Sequence, residues 1–222
     1  MARELDFYQI VYDEAQKEHC YPFAKIHYNE TLTDYFENEV IRNLVPHSQA
    51  ELISVCSWRL AKKRGDCYRL PDKGLTEQKI MDTDFDVAIL TPRAASHKPL
   101  LMAGEWHGEA WHKAFAVFKP FLKSIGINVP EELTYAIYEN HFIAKGELYK
   151  RYVSECLTPS IAFMDKEEIF KIDSGYINKK RQPEIKDYQM KSGRYDWPIS
   201  TFVLERLFSI WIEGKGLKVV NL

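Results

Sequence analysis

The stretch ISVCSWRLAKKRG (residues 53–65) leaves an apolar run and gathers Arg59, Lys62, Lys63 and Arg64 within six positions. Cations that dense at a strand exit suit an anionic ligand, phosphate above all. A guanidinium can bind two phosphate oxygens at once, so Arg59, which directly follows the run, is the first candidate. Lys62 and Lys63 come later along the turn, where a solvated strand exit explains them equally well.

MDTDFDVAIL (81–90) sets Asp82, Asp84 and Asp86 at alternate positions ahead of a second apolar run. In an extended chain residues i and i+2 point the same way, so Asp84 and Asp86 can share a divalent cation, Mn²⁺ or Mg²⁺. Exposed acids dressing a strand entrance are the alternative. WHGEAWH (106–112) carries His107, Glu109 and His112. Its histidines are five apart, about 140° around a helix, whereas the zinc-protease pattern needs a spacing of four. No GxGxxG, GxxxxGK[ST] or GxSxG occurs, which argues against a Rossmann dehydrogenase, a P-loop NTPase and an α/β-hydrolase. Cys20, Cys56, Cys67 and Cys156 show no CxxC spacing and read as reduced thiols of a cytosolic protein.

The elements that must position these groups alternate in type. LDFYQIVYD (5–13), ELISVCSW (51–58) and DVAILTP (86–92) read as strands, the last two apolar on both faces as central strands are. TLTDYFENEVIRNLV (31–45) opens with a threonine cap and an acidic first turn and reads as a helix. Residues 105–126 predict a helix kinked at Pro120 and ended by Gly126. LTYAIYENHFIAK (133–145) reads as a strand followed by a functional loop, and 147–164 as helical at least to Leu157. The polar segment 170–198, with Lys179, Lys180 and Arg181, has the length of a flexible binding loop or lid. ISTFVLERLFSIWIEGKG (199–216) predicts an amphipathic helix and LKVVNL a closing strand. The expected architecture is one domain over 1–222, a three-layer α/β/α sandwich with a mostly parallel or mixed sheet. Such sheets bind ligands beyond the carboxyl ends of their strands, where Arg59 falls.

Bulk composition bounds the rest. A net charge of −2 gives no global field for nucleic acid, so an anion site must be local. Aromatics at 14% supply a ring-rich core and the walls of a groove. MARELDFYQI carries no apolar run, so no signal peptide is expected, and no window is apolar enough for a membrane span.

Three stretches, in order along the chain, carry a resemblance. ISVCSWRLAKK, ENHFIAKGELYKRYVSE (with Asn140 and Lys145) and WPISTFVLERLFSIWIEGKGLKV (with Glu205, Arg206 and Trp211) resemble blocks of bacterial glycosyltransferases that build capsular or surface polysaccharide. Together they cover about a third of the chain. The resemblance implies a GT-A-like fold, a nucleotide-sugar donor, a glycan acceptor and a cytoplasmic enzyme lying peripherally on membrane-bound glycan machinery. Arg59, Lys62 and Lys63 would hold the donor diphosphate, and Asp84 and Asp86 a metal or the donor sugar. Asn140 and His141, placed after a strand, would face donor or acceptor. Glu205 and Arg206 would face the site or form a buried structural pair. Ser57-Trp58 stands where His-Tyr is common in that family, so a non-catalytic binding or scaffolding module on the same fold is the competing expectation.

Overall fold

The computed structural model describes residues 3–29, 35–61, 74–91, 98–175 and 197–222. Among these residues six strands, β1 (Leu5–Val11), β2 (Lys25–Tyr28), β3 (Leu52–Ser57), β4 (Val87–Ile89), β5 (Phe142–Lys145) and β6 (Val219–Asn221), form one sheet in the order β2-β1-β3-β5-β4-β6. Neighbours are parallel except at β5, which runs against both β3 and β4. The sheet is therefore mixed. β2 was not expected from the sequence: KIHY is short and half exposed, with no apolar run to mark it.

Alternation along the strands splits the core. Ile10, Ile53, Val55, Val87, Ile89, Phe142 and Ala144 face one layer, and Phe7, Leu52, Cys56, Ala88, Leu90 and Ile143 the other. The first layer is deep. It holds α2 (Glu37–Leu44, after the short α1, Glu14–Lys17), α4 (Pro99–Ser124), α5 (Gly146–Tyr152), α6 (Thr158–Met164) and α7 (Ile199–Ile212). The second layer is thin, built on α3 (Glu77–Asp82) with Leu75, Ile80 and the Tyr21–Phe23 turn. Helices thus lie on both sides of the sheet, as expected.

Three expectations need correction. α4 runs through Pro120, and its interruption falls at Gly108 (φ 54°, ψ −131°), a conformation open to glycine because it has no Cβ. α7 is not amphipathic: it crosses the middle of the deep layer, buried nearly all round, with Phe208 stacked on Phe142 at 3.8 Å between ring centres. The strand expected over 133–145 is shorter and comes last. Residues 133–138 are irregular, 139–140 turn, and only 142–145 are strand.

β5 passes straight into α5 at Gly146. Its N–H donates to the Glu51 carbonyl at 2.7 Å, and a Cβ there would lie 2.3 Å from the Ala50 carbonyl oxygen, so no other residue fits. α5 and α6 join through a π-type turn (Val153–Leu157). The segment 170–198 is pinned at its base, where Ser174 N–H donates to Trp197 O and Ile199 N–H to Ile172 O, both at 2.9 Å. Its remainder, 176–196, including Lys179, Lys180 and Arg181, lies outside the described residues, as does Cys67.

Candidate functional site

The strand order has a switch point, where α/β sheets form a ligand crevice. From β1 the chain moves outward to β2, then crosses back to place β3 on the other side of β1. Where neighbouring parallel strands send their connections in opposite directions, the space beyond their carboxyl ends opens, and α/β sheets bind ligands there. Tyr12 leaves β1 at this edge and Trp58-Arg59 leave β3. Trp58 N–H continues the ladder to Ile10 O at 3.0 Å, and Ser57 Oγ accepts the Arg59 N–H at 3.3 Å, turning the chain. The Arg59 guanidinium lies 5.4 Å from the Trp58 ring centre, and Trp58 stacks on His19 at 5.6 Å. The arginine thus lies in a turn with its guanidinium over an aromatic face.

α2 brings Glu37 to the same edge. Its Oε1 accepts the Tyr12 hydroxyl at 3.0 Å. Burial pushes the Glu37 carboxyl above its ordinary value and the Glu139 charge adds to this; its own backbone N–H, the Tyr12 hydroxyl and Arg59 pull the other way. Burial, then the Glu37 charge, also holds the Tyr12 phenol well above its usual range. The residue before Glu37 is under strain: Phe36 has φ 46° and ψ −123°, and the Trp197 ring packs edge-on against it at 5.9 Å.

The third contributor is the turn before β5. Because β5 is antiparallel, its entrance, not its exit, lies at the carboxyl edge of β3 and β4. Glu139 (φ 53°) and Asn140 (φ 54°) are left-handed, and His141 N–H closes the turn on Tyr138 O at 3.0 Å. Glu205 Oε1, from α7, accepts the Glu139 N–H at 2.9 Å, while Oε2 pairs with Arg206 Nη1. Arg206 is 1% exposed, sits 4.5 Å over the Tyr138 ring, and has no acceptor for its Nε. His141, also 1% exposed, has Nε2 3.8 Å from Glu139 Oε2 and Nδ1 3.5 Å from Thr91 Oγ1. Among the described residues, the positive-φ residues other than glycine are Phe36, Glu139 and Asn140. All three lie at this edge. Each such conformation costs about 1–3 kcal/mol and persists only where surrounding structure enforces it, which is how binding sites hold their geometry.

Of the residues singled out in the sequence, Arg59, Asn140, His141, Glu205 and Arg206 meet at the crevice edge. Asn140 and His141 precede their strand rather than follow it. Lys62 and Lys63, with Arg64, lie outside the described residues. Asp84 and Asp86 go elsewhere. They stand at the entrance of β4, and β4 runs parallel to β3, so they belong to the edge opposite Arg59. Asp84 Oδ2 pairs with Lys218 Nζ at 2.8 Å; Asp86 Oδ1 pairs with Lys145 Nζ at 2.8 Å, and its Oδ2 accepts the Lys218 N–H at 2.8 Å. Lysine hydrogen bonds hold both carboxyls below their ordinary value. In this structure both aspartates are engaged by lysines; among the described residues no three His, Cys, Asp or Glu side chains group as metal ligands. Lys145 sits with them at the far end of β5. His107 is buried, with Nδ1 3.3 Å from Ser174 O and its ring 4.0 Å from Phe202, which makes it a packing residue beside the 170–198 segment.

Tyr12, Glu37, Thr91 and Glu139 were not singled out in the sequence. Glu37 belongs to an acidic first helical turn, which the helix dipole alone explains, and nothing local marks it as buried. Compared with protein-family models, with curated proteins and with solved structures, the chain matches none. Among the described residues no helix is long and apolar enough to cross a membrane.

Proposed function

We propose that this chain is a GT-A-type glycosyltransferase that moves a sugar from a nucleotide-sugar donor to a surface or capsular polysaccharide acceptor, working at the cytoplasmic side of membrane-bound glycan machinery. The observation that carries the reading is the crevice between β1 and β3, with the Arg59 guanidinium seated on Trp58 at its mouth. A nucleoside diphosphate needs a cation for its phosphates and a flat ring for its base, and Arg59 with the Trp58–His19 pair supplies both types. The mixed α/β sheet is of the kind the sequence resemblance implies. Asn140 and Glu139, presented on a strained turn, face the sugar or the acceptor. Glu205 and Arg206 hold that turn from behind.

The second reading, a non-catalytic module on the same fold, draws on the position of Asp84 and Asp86: the carboxylates expected to hold a metal or the donor sugar are bound to lysines at the other edge. A thermal-shift screen of UDP-, GDP-, dTDP- and CMP-sugars, with and without Mn²⁺, tests the binding that both readings share. A ligand at 100 times its Kd adds about 2.7 kcal/mol to stability. Donor hydrolysis then separates them, since a module binds without turnover. Failure of every nucleotide sugar to stabilise the protein would sink both.

A further inference from the structure

Two carboxylates, Glu37 and Glu139, share the carboxyl edge of the sheet with Arg59. Glu37 enters from α2, Glu139 from the turn before β5, Tyr12 from the end of β1 and Arg59 from the end of β3, and all of them act on the Glu37 carboxyl. On α2 itself Glu39 and Arg42 pair with each other. Behind Glu139 stand His141 and the Glu205–Arg206 pair. Tyr12 and Arg59 leave adjacent strands, so an anion seated on Arg59 would bring its negative charge toward Glu37, which the Tyr12 hydroxyl holds at 3.0 Å, and toward Glu139 on the same edge. One of these groups must shed its charge or the anion is held poorly. Glu205 is the wrong candidate, since one oxygen takes the Glu139 N–H and the other the Arg206 guanidinium. Glu139 lies against the His141 ring. Glu37 has the Tyr12 hydroxyl at 3.0 Å, a group that donates to the carboxylate and can turn to accept, more weakly, from the protonated acid.

We infer that Glu37 takes up one proton from solvent when a diphosphate occupies the crevice, so that the loaded site holds a carboxylic acid beside the anion. This rests on the donor-site reading above and deepens it: the crevice is a proton-coupled diphosphate site, and its affinity is set by pH through one residue. Burial and the Glu139 charge, which already disfavour the ionised form, bias Glu37 toward that uptake.

The test is isothermal titration of UDP-glucose, GDP-mannose and dTDP-glucose between about pH 5 and 8.5, in buffers of different ionisation enthalpy. Their diphosphates are diesters and carry no titrating proton in the neutral range, so any proton taken up belongs to the protein. Kd is expected to rise with pH, approaching about tenfold per unit over part of the range, with uptake approaching about one proton where the slope is steepest. Glu37→Gln copies the protonated form. It should abolish the uptake, flatten the profile and bind more tightly than wild type at the alkaline end. Tyr12→Phe removes a hydroxyl that favours the ionised carboxyl, so the sloping limb should move to higher pH; this arm decides the matter if Glu37→Gln does not fold. Binding with no pH dependence overturns the inference, as does uptake that survives in Glu37→Gln, which would assign the proton to a histidine such as His19. If none of the three donors binds, the donor reading falls and the inference with it.

Discussion

The two edges of the sheet handle charge in opposite ways. At the amino edge, Asp84, Asp86, Lys145, Lys218, Arg3 and Glu51 form short ion pairs, most of them open to water, each acid matched by a base. At the carboxyl edge, Arg206 is fully buried with its Nε unmatched, Glu37 and Glu139 repel each other, and three residues hold left-handed backbone. The first arrangement costs the fold little and contributes little. The second is expensive to maintain, and expense concentrated at one strand edge is what a preorganised binding crevice looks like. The distinction is energetic, so it can be broken by measurement.

The largest difference is expected from Arg206→Ala. Removing one partner of a buried pair leaves Glu205 without its cation, and the Glu139 turn loses the support that Glu205 provides. Losses of about 3–5 kcal/mol are typical of such sites. Lys218→Ala, at the amino edge, should shift the urea midpoint only slightly, because an exposed pair gives little. Equal losses for the two variants would erase the contrast between the edges.

Next comes ligand affinity. Arg59→Ala should weaken donor binding by roughly ten- to a hundredfold, as expected for a lost charge-assisted hydrogen bond of about 1.5–3 kcal/mol. Arg59→Lys should recover part of that, since an ammonium cannot make the planar two-point contact. Lys145→Ala, across the sheet, should leave affinity unchanged. Titration of any donor that passes the thermal-shift screen decides it, and equal loss in Arg59→Ala and Lys145→Ala would remove Arg59 from the site.

These contrasts also show what the sequence could and could not convey. β3 and β4 were legible because every residue of a central strand is buried, and an unbroken apolar run says so. Arg59 was legible for the same reason, as the first charge after such a run. Asp84 and Asp86 were correctly seen as neighbours, but which edge they occupy depends on the direction of β4 relative to β3, which side-chain alternation does not encode. The same gap misplaced Asn140 and His141: an apolar string broken by ENH reads alike whether the turn leads into a strand or out of one. Glu37 was illegible because how far a helix's first turn is covered depends on what lies over it, here Tyr12 at the end of β1.

A smaller effect, opposite in sign at the two edges, is expected in the pH dependence of stability. Asp86 has a lowered pKa, chiefly through Lys145, so its contribution is present above the ordinary carboxylate value and fades as pH falls through its folded value. Glu37 has a raised pKa, so its contribution is full below the ordinary value and fades as pH rises through the folded one. Asp86→Asn should flatten the acid limb of a urea-midpoint profile, and Glu37→Gln should flatten the limb just above the ordinary carboxylate range. Two variants with the same profile would mean that the edges do not differ electrostatically.

The smallest effect, and the sharpest for the crevice, concerns Asn140. Its φ of 54° is tolerated by asparagine, is free for glycine, and costs other side chains about 1–2 kcal/mol. Glycine also gives back some of that gain through a more flexible unfolded chain. Asn140→Gly should therefore leave stability within about 0.5 kcal/mol of wild type, whereas Asn140→Ala should lose about 1 kcal/mol. Both variants delete the same carboxamide, so the difference between them isolates the backbone. Donor affinity then divides the roles of this residue. If the side chain faces the ligand, Gly and Ala weaken binding alike despite their different stabilities. If Asn140 serves only to hold the turn, Asn140→Gly binds as wild type does and Asn140→Ala binds less well, because the Glu139 N–H drifts from the Glu205 carboxylate that anchors it. Stabilities that coincide for the two variants would show that left-handed backbone is not what fixes this turn, and one of the three strained points that set the carboxyl edge apart would be lost.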